Sequence, residues 1–418
     1  PDVRRASVDI STNLYGFSTG MSQLASNEEE LGGGLEFSFN DINIIPASLG
    51  VAKGLGERRK DGVFDHAVAF SLLIPAMEAS SLSETQPTTE CKLNGVSGDR
   101  EFHIRRSIND QTLWTGLGYG WRTNEWLSLG ASVFYVLRSF ERIDDISSAC
   151  IDNSSPDSAD RFAGASTRVN FANGNLMAIV GAKAKLSDRF SLGLSVGTPS
   201  VRVNSEGEAS TICDGTNASS SKNCPASTPE THTKPYFISN SLVAEQSETQ
   251  IPLMVRAGLA YVVPKRLTAA LDVTYHNATS YELFSTESNF DADTLPIVSS
   301  VQRKQVVNFN AGFEYLLADE FSASLGAYSN FSSAPDVDKT PASDQLPDVD
   351  MLGLTTALGY FTEHSLVRAG FLYSRGLGHD VLPADPTTET AEGDAAPFQR
   401  VDVSRNYLYF FVASTFRY

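Results

Sequence analysis

The chain has 418 residues and a net charge of −18, from 32 basic and 50 acidic side chains. This acidic balance argues against nucleic acid as a partner, because neutralising phosphate groups requires a basic face. The hydrophobic fraction is 41%, and no run of about eighteen apolar residues occurs, which excludes a membrane-spanning helix.

Alternation of apolar with polar or small residues predicts about fourteen β-strands. In chain order they are 3–20, 41–55, 63–80, 102–122, 127–143, 166–186, 189–207, 240–263, 267–283, 304–317, 320–332, 350–362, 365–378 and 399–418. Short polar turns join strands at one end, whereas the other connections are long and polar: 81–100, 140–165, 205–240, 284–303, 331–349 and 379–398. This asymmetry is typical of bacterial outer-membrane proteins. We therefore expect one all-β domain over 1–418, a closed antiparallel transmembrane β-barrel with short periplasmic turns and long extracellular loops.

The third predicted strand contains a proline in its middle, in HAVAFSLLIPAMEAS at 66–80. Proline cannot donate to a β-ladder and is disfavoured inside sheets except at edges and bulges. A closed barrel has no edge, so Pro75 is expected to break the pairing with one neighbour. The break is either a simple bulge or a gap in the wall, and Leu73, Ile74 and Pro75 are candidate residues of a substrate pathway.

The fifth predicted strand shows which residues share a face. The register places Leu129, Val133 and Leu137 toward lipid, and it places Ser128, Ser132 and Arg138 toward the lumen. Phe134 and Val136 fall on the lumen face, where they suit an apolar substrate or simply fill space. We include both in the candidate pathway.

The last strand alternates up to its terminal residue, Tyr418. Leu408, Phe410 and Phe416 share one face, and about eleven alternating residues are enough for a tilted strand to cross a bilayer. Taken alone, this strand also fits a soluble sandwich. A terminal aromatic residue resembles the assembly signal of outer-membrane barrels.

Four cysteines, Cys91, Cys150, Cys213 and Cys224, lie in polar stretches without a CxxC pair. An even number of exposed cysteines fits disulfides formed in an oxidising compartment. Of the three possible connectivities, we predict Cys213–Cys224, which lie in one loop, and Cys91–Cys150, whose loops flank one hairpin.

No sequence motif for catalysis or metal binding is evident. The six histidines are scattered, and GxSxG, HExxH and P-loop motifs are absent. The acidic stretches 333–350 and 379–397 are interpreted as solvated loops rather than a cation site, since their carboxylates lack the EF-hand spacing. We expect no enzymatic activity, no cofactor and no metal, and we keep open that these loops bind a surface protein.

Three segments resemble the FadL family of long-chain fatty-acid and hydrocarbon transporters: IIPASLGVAKGLGERRKDG at 44–62, NGNLMAIVGAKAKLSDRFSLGLSVGTP at 173–199, and VVNFNAGFEYLLADEFSASLGAYSNFSSAP at 306–335. The resemblance implies a barrel in the outer membrane that passes hydrophobic molecules inward through a lateral gap at a kinked third strand. Family members also carry an N-terminal plug with an Asn-Pro-Ala turn. Here Pro1 almost directly precedes the first strand, so we expect a plug that lies upstream or an unplugged relative.

Three functions follow from these observations. The first is passive uptake of hydrophobic or amphipathic small molecules, with membrane lipid around the barrel. The alternatives are a general porin for polar solutes and a structural or partner-binding barrel. Conductance in planar bilayers separates the porin from the other two.

Overall fold

The computed structural model describes residues 8–25, 35–41, 46–58, 64–93, 96–151, 161–216, 236–244, 246–285, 300–339, 345–383 and 398–417. Its 21 β-strands are β1 (Val8–Ala25), β2 (Leu35–Asp41), β3 (Pro46–Arg58), β4 (Phe64–Leu93), β5 (Val96–Arg122), β6 (Leu127–Ile151), β7 (Arg161–Lys185), β8 (Phe190–Gly197), β9 (Val201–Thr216), β10 (Tyr236–Ala244), β11 (Gln246–Ser247), β12 (Met254–Val263), β13 (Leu267–His276), β14 (Thr279–Glu282), β15 (Phe284–Ser285), β16 (Ser300–Arg303), β17 (Val306–Ala318), β18 (Phe321–Asn330), β19 (Asp348–Phe361), β20 (Ser365–Pro383) and β21 (Phe398–Arg417).

Seventeen of these strands form one antiparallel sheet. Three pairs of successive segments, β2 with β3, β8 with β9 and β10 with β12, each occupy a single position in it, so the sheet has fourteen positions. Successive positions pair in chain order, and the last strand, β21, pairs with the first, β1. The predicted all-β class and strand number are confirmed. The four other strands form two short ladders, β11–β15 and β14–β16.

Several strands extend beyond their predicted ends into regions expected to be loops. β4 continues to Leu93 and β6 to Ile151, inside the predicted loops 81–100 and 140–165. Likewise, β9 and β10 occupy both ends of the predicted loop 205–240. The prediction took polar composition as evidence for loops. Ladders to a neighbouring strand satisfy the backbone of these segments, so they need no continuous apolar face.

The outer face of the sheet carries a band of exposed apolar side chains. It includes Leu117, Leu325 and Leu358, each more than 60% exposed. Trp121 and Trp126 are also exposed and lie beside the tight turn between β5 and β6. A continuous exposed apolar band with aromatic residues at its border is the pattern of a lipid-facing barrel surface.

Candidate functional site

Strand β6 separates an outer from an inner face as the sequence predicts. Val133 and Leu137 are 54% and 40% exposed, whereas Phe134 and Val136 are buried. Each buried residue therefore alternates with an exposed one, which is the period of a strand with two different environments. The register predicted for this strand is consistent with this exposure.

A cavity of about 450 Å³ lies inside the sheet at the end where the short turns are. Its wall is built largely from glycines and serines on β6, β7 and β8, so the backbone itself contributes much of the surface. Lys183, Arg256 and Asp272 add charge. This space, which we name the inner cavity, contains these charged groups and is wide enough to hold water.

An apolar cluster lies farther along the same strands, beyond the inner cavity. Its buried members are Phe134, Val136 and Met177. Four partly buried side chains pack against them: Leu73, Trp114, Ile179 and Ile251. Ile179 also lines the inner cavity, so the two regions adjoin. We name these seven residues the apolar belt.

Aromatic packing and a glycine position the ring of Phe134. The rings of Trp114 and Phe134 meet edge to face, with centroids 5.6 Å apart. Gly116 lies under the Phe134 ring, because a Cβ at this position would approach the ring to 2.4 Å. A side chain larger than glycine at 116 would therefore displace Phe134 from the belt.

The structure brings together three of the five candidate pathway residues, Leu73, Phe134 and Val136. Ile74, the residue after Leu73, is half-buried. Pro75 is described by its backbone alone. The sequence analysis missed Trp114, Met177 and Ile251. Trp114 and Met177 could have been found by pairing strands, since they lie opposite Val136 and Phe134 respectively.

Pairing around Pro75 is irregular on both sides of β4. Leu73 lies opposite Trp114, but the next matched pair is Ala76 and Thr112. Two residues of β4 therefore oppose one residue of β5, which is a β-bulge. On the other side, the β3–β4 ladder ends at Ser48↔Leu73. Within the described residues no ladder joins β2 to β4 beyond this point.

Charged groups fill the interior on the far side of the apolar belt. Arg138 binds Asp110 with two hydrogen bonds of 3.0 and 2.7 Å. Its guanidinium also lies 5.7 and 5.4 Å from the ring centres of Phe140 and Phe171. A planar cation between aromatic rings and a carboxylate is held in one orientation.

A second group of ion pairs connects opposite sides of the sheet. Arg106 Nε donates to Asp144 at 2.7 Å, and Arg142 pairs with the same carboxylate at 2.6 Å. Arg106 also donates to the Val381 carbonyl at 3.0 Å, although β5 and β20 lie far apart in the strand order. Asp380 is 3.6 Å from Arg405. We name these charged groups the ion-pair layer.

A hydrophobic core also crosses the interior at this end. It joins β5, β6 and β7 to β20 and β21. Its buried members are Phe102, Ile104, Ile146, Ala165, Leu382, Val401 and Val403. The interior is therefore filled in successive layers, from the belt through the ion-pair layer to this core.

Two carboxylates of the acidic stretch 333–350 pair with a lysine from outside it. Lys304 Nζ lies 3.1 Å from Asp336 and 3.4 Å from Asp348. The hydrogen bond from Lys304 lowers the pKa of Asp336 below its ordinary value. No group of residues with metal-ligand spacing occurs in the described part of the chain. These carboxylates are thus partnered by a lysine.

The side chains that would form the predicted disulfides are outside what the structure describes. The structure covers Cys91, Cys150 and Cys213 by their backbone only, and Cys224 is not described. Cys91 lies opposite Gly98 and Cys150 opposite Arg100, on the two sides of β5. Both disulfide assignments remain predictions.

Several solved structures are similar to this chain over nearly its whole length. In the described residues no helix is long and apolar enough to span a membrane. No family model and no curated protein matches the chain. Among solved structures, the toluene transporter TodX of Pseudomonas putida is similar over 99% of this chain and 90% of its own, with TM-score 0.55 and 11% identity.

A FadL homologue of Pseudomonas aeruginosa is similar over 98% of this chain and 90% of its own, with TM-score 0.58 and 13% identity. A TodX deletion mutant, described as a monoaromatic hydrocarbon channel, has TM-score 0.56 and 11% identity over 100% of this chain and 92% of its own. These three structures are a toluene transporter, a FadL homologue and a hydrocarbon channel. The chain has the fold of the FadL-type transporters of the bacterial outer membrane, as the sequence resemblance predicted.

Proposed function

We propose that this protein is a closed outer-membrane barrel for passive uptake of small hydrophobic or amphipathic molecules. The observation that carries the proposal is the apolar belt, which lies beside the point where the β3–β4 ladder ends. Leu73 belongs to the belt and is also the last paired residue of that ladder. An apolar molecule in the belt would therefore already be next to an interruption in the wall.

The filled interior favours this function over a general porin. A porin needs a continuous aqueous lumen. Here the apolar belt, the ion-pair layer and the cross-connecting core occupy successive levels above the inner cavity. An ion would have to lose its hydration to pass the belt, which is costly, whereas an apolar molecule would lose nothing.

The similar structures agree with a hydrophobic cargo. One is a toluene transporter and another a FadL homologue. We extend this substrate class, apolar small molecules, to the present chain. The bulge at Pro75 supports lateral release: an exit through the wall would let such a molecule reach the bilayer without crossing water. Because unpaired backbone groups are costly in hydrocarbon, the exit belongs at the border of the apolar band.

The test is Pro75→Ala, which restores a possible backbone donor in β4. Cells that express the variant should lose most of their uptake of radiolabelled toluene, while the barrel folds normally and small-ion conductance in planar bilayers stays low. The matched control is Pro264→Ala, because Pro264 lies in the tight turn between β12 and β13, away from any gap. Wild-type toluene uptake by folded Pro75→Ala would make Pro75 an ordinary bulge and remove the lateral exit.

A further inference from the structure

The sheet is interrupted a second time, on the other side of the apolar belt. The β8–β12 ladder ends at Gly197↔Met254, and the β9–β10 ladder resumes at Gly207↔Ala244. Between these points β9 remains paired with β7. On its other side, no ladder holds Val201–Glu206 within the described residues.

The two ladders keep the same register across this interruption. From Gly197↔Met254 to Gly207↔Ala244, the residue number rises by ten on one strand and falls by ten on the other. No residue is therefore inserted on either strand. The segment 246–253, which lies between β10 and β12, is displaced as a unit. Continuing the β8–β12 register by two residues places Pro199 directly opposite Pro252.

Neighbouring hydrogen bonds show in which direction these two prolines would have donated. Thr198 N donates to the Ala178 carbonyl on β7, and the Leu253 carbonyl accepts from Asn277 N. Because donors alternate sides along a strand, residues 199 and 252 would exchange both backbone bonds with each other. Neither proline has an N–H, so both bonds of this pair are lost.

The displaced strand lies toward the interior. Ser247 and Thr249 are buried, and Thr249 Oγ1 accepts from Asn175 Nδ2 of β7 at 3.2 Å. The Ser247 hydroxyl accepts a hydrogen bond from the Asn173 side-chain amide of the same strand. These contacts join the displaced strand directly to β7, although β9 lies between β7 and β10 in the sheet. On its other side the strand keeps its partner, since Glu248 N donates to the Leu283 carbonyl at 2.9 Å.

The interruption has apolar residues on both of its sides. Ile251 belongs to the apolar belt. Val201 and Val203, on the opposite border of the interruption, are 69% and 55% exposed. Val201 pairs with Leu176, which is also exposed, so this border is continuous with the lipid-facing band. Hydrogen bonds still cross both ends of the interruption. At the lower end Ser200 N donates to the Ile251 carbonyl at 3.0 Å and Ile251 N donates to Ser200 Oγ at 2.9 Å. At the upper end Ser247 Oγ donates to the Glu206 carbonyl at 2.9 Å.

We propose that the facing prolines Pro199 and Pro252 create a second lateral opening, through which small apolar molecules pass between the apolar belt and the membrane. The proposal rests on the proposed function for its substrate class. It adds a second exit, reached through Ile251, to the one at Pro75, reached through Leu73. The belt then lies between two openings, one beside β4 and the other beside β9.

The test restores the missing donors with Pro199→Val and Pro252→Val, singly and together, since valine favours strands. Each is made alone and combined with Pro75→Ala, and Pro264→Val is the control. Toluene uptake should fall partly in the proline pair variant. It should fall to the level of cells without the protein when the pair is combined with Pro75→Ala. Folding is checked by the heat-dependent mobility of the barrel in gels, and the single variants serve if the pair does not fold.

A second readout locates the opening directly. A photoreactive phenyl diazirine, used as an apolar probe, should label peptides containing Val201 and Ile251 in the wild type. The labelling should decrease in the proline pair variant, while Phe134 stays labelled. Unchanged labelling together with unchanged uptake in both backgrounds would overturn the second opening. If Pro75→Ala alone abolished toluene uptake, the proposal of a second opening would be wrong, whereas the proposed function would stand. If cells with the wild-type protein took up no more toluene than cells without it, the proposed function itself would fail.

Discussion

Val133→Arg tests the orientation of the wall. Val133 is 54% exposed on the outer face of β6. It lies six residues after Leu127, where the strand begins. At about 3.3 Å per residue and a tilt of about 40°, this is roughly 15 Å along the membrane normal. An apolar band is about 25 Å tall, so Val133 is near its middle.

The size of the expected effect follows from this depth. An arginine near the midplane on the lipid face costs about 2–4 kcal/mol. Since about 1.4 kcal/mol is a factor of ten, the folded-to-unfolded ratio should drop by roughly 30-fold to 1,000-fold. The adjacent Ser132 lines the inner cavity together with Lys183 and Arg256. An arginine at 132 would enter a space that is wide enough for water and contains the carboxylate of Asp272.

The assay is reversible urea unfolding in lipid vesicles, followed by tryptophan fluorescence. Val133→Arg should shift the midpoint to clearly lower urea than Ser132→Arg. Val133→Leu is the control for a change of size without charge. Equal shifts for the two arginine variants, or a larger one for Ser132→Arg, would mean that the strand faces are reversed.

Two further predictions concern the ion-pair layer and the cysteines. Asp144→Asn should lower the free energy of unfolding by about 3–5 kcal/mol, because the buried Arg106 and the partly buried Arg142 would then lose the carboxylate that they share. Glu141→Gln, which alters the exposed pair with Arg168, should cost less than about 1 kcal/mol in the same unfolding assay. Similar costs for both variants would contradict the burial argument. For the cysteines, thiol labelling of the unreduced, denatured protein should find no reactive group, with peptide mapping to identify the linkages; four reactive thiols would refute both disulfides.

Much of the wall could be predicted from the sequence because lipid and lumen impose opposite chemistry on alternate residues. Leu129, Val133 and Leu137 are exposed, as their spacing indicates. Phe134 and Val136 were assigned to the inner face by the same alternation and are buried there. The strand number follows from repeating this pattern between turns.

The interior contacts could not be predicted in this way, because they join residues far apart in the chain. Arg106 and Val381 are 275 positions apart and meet only when the sheet places their strands across the interior. The long polar hairpins also misled the prediction, since composition alone does not distinguish a solvated loop from a paired polar strand. Pro199 and Pro252 are likewise 53 positions apart in the chain. Their significance depends on a register that sets them face to face.

The relation between the two interruptions constrains how the proposed passive channel can work. Each missing ladder segment costs backbone hydrogen bonds, and such a cost is tolerated only where other contacts hold the wall in place. At the Pro199–Pro252 interruption, Ser247 and Thr249 provide these contacts through β7. The displaced strand also brings Ile251 into the apolar belt. In the proposed mechanism the same displacement opens the wall and narrows the interior, so that a path to the membrane is available to an apolar molecule while the route along the axis stays closed to ions.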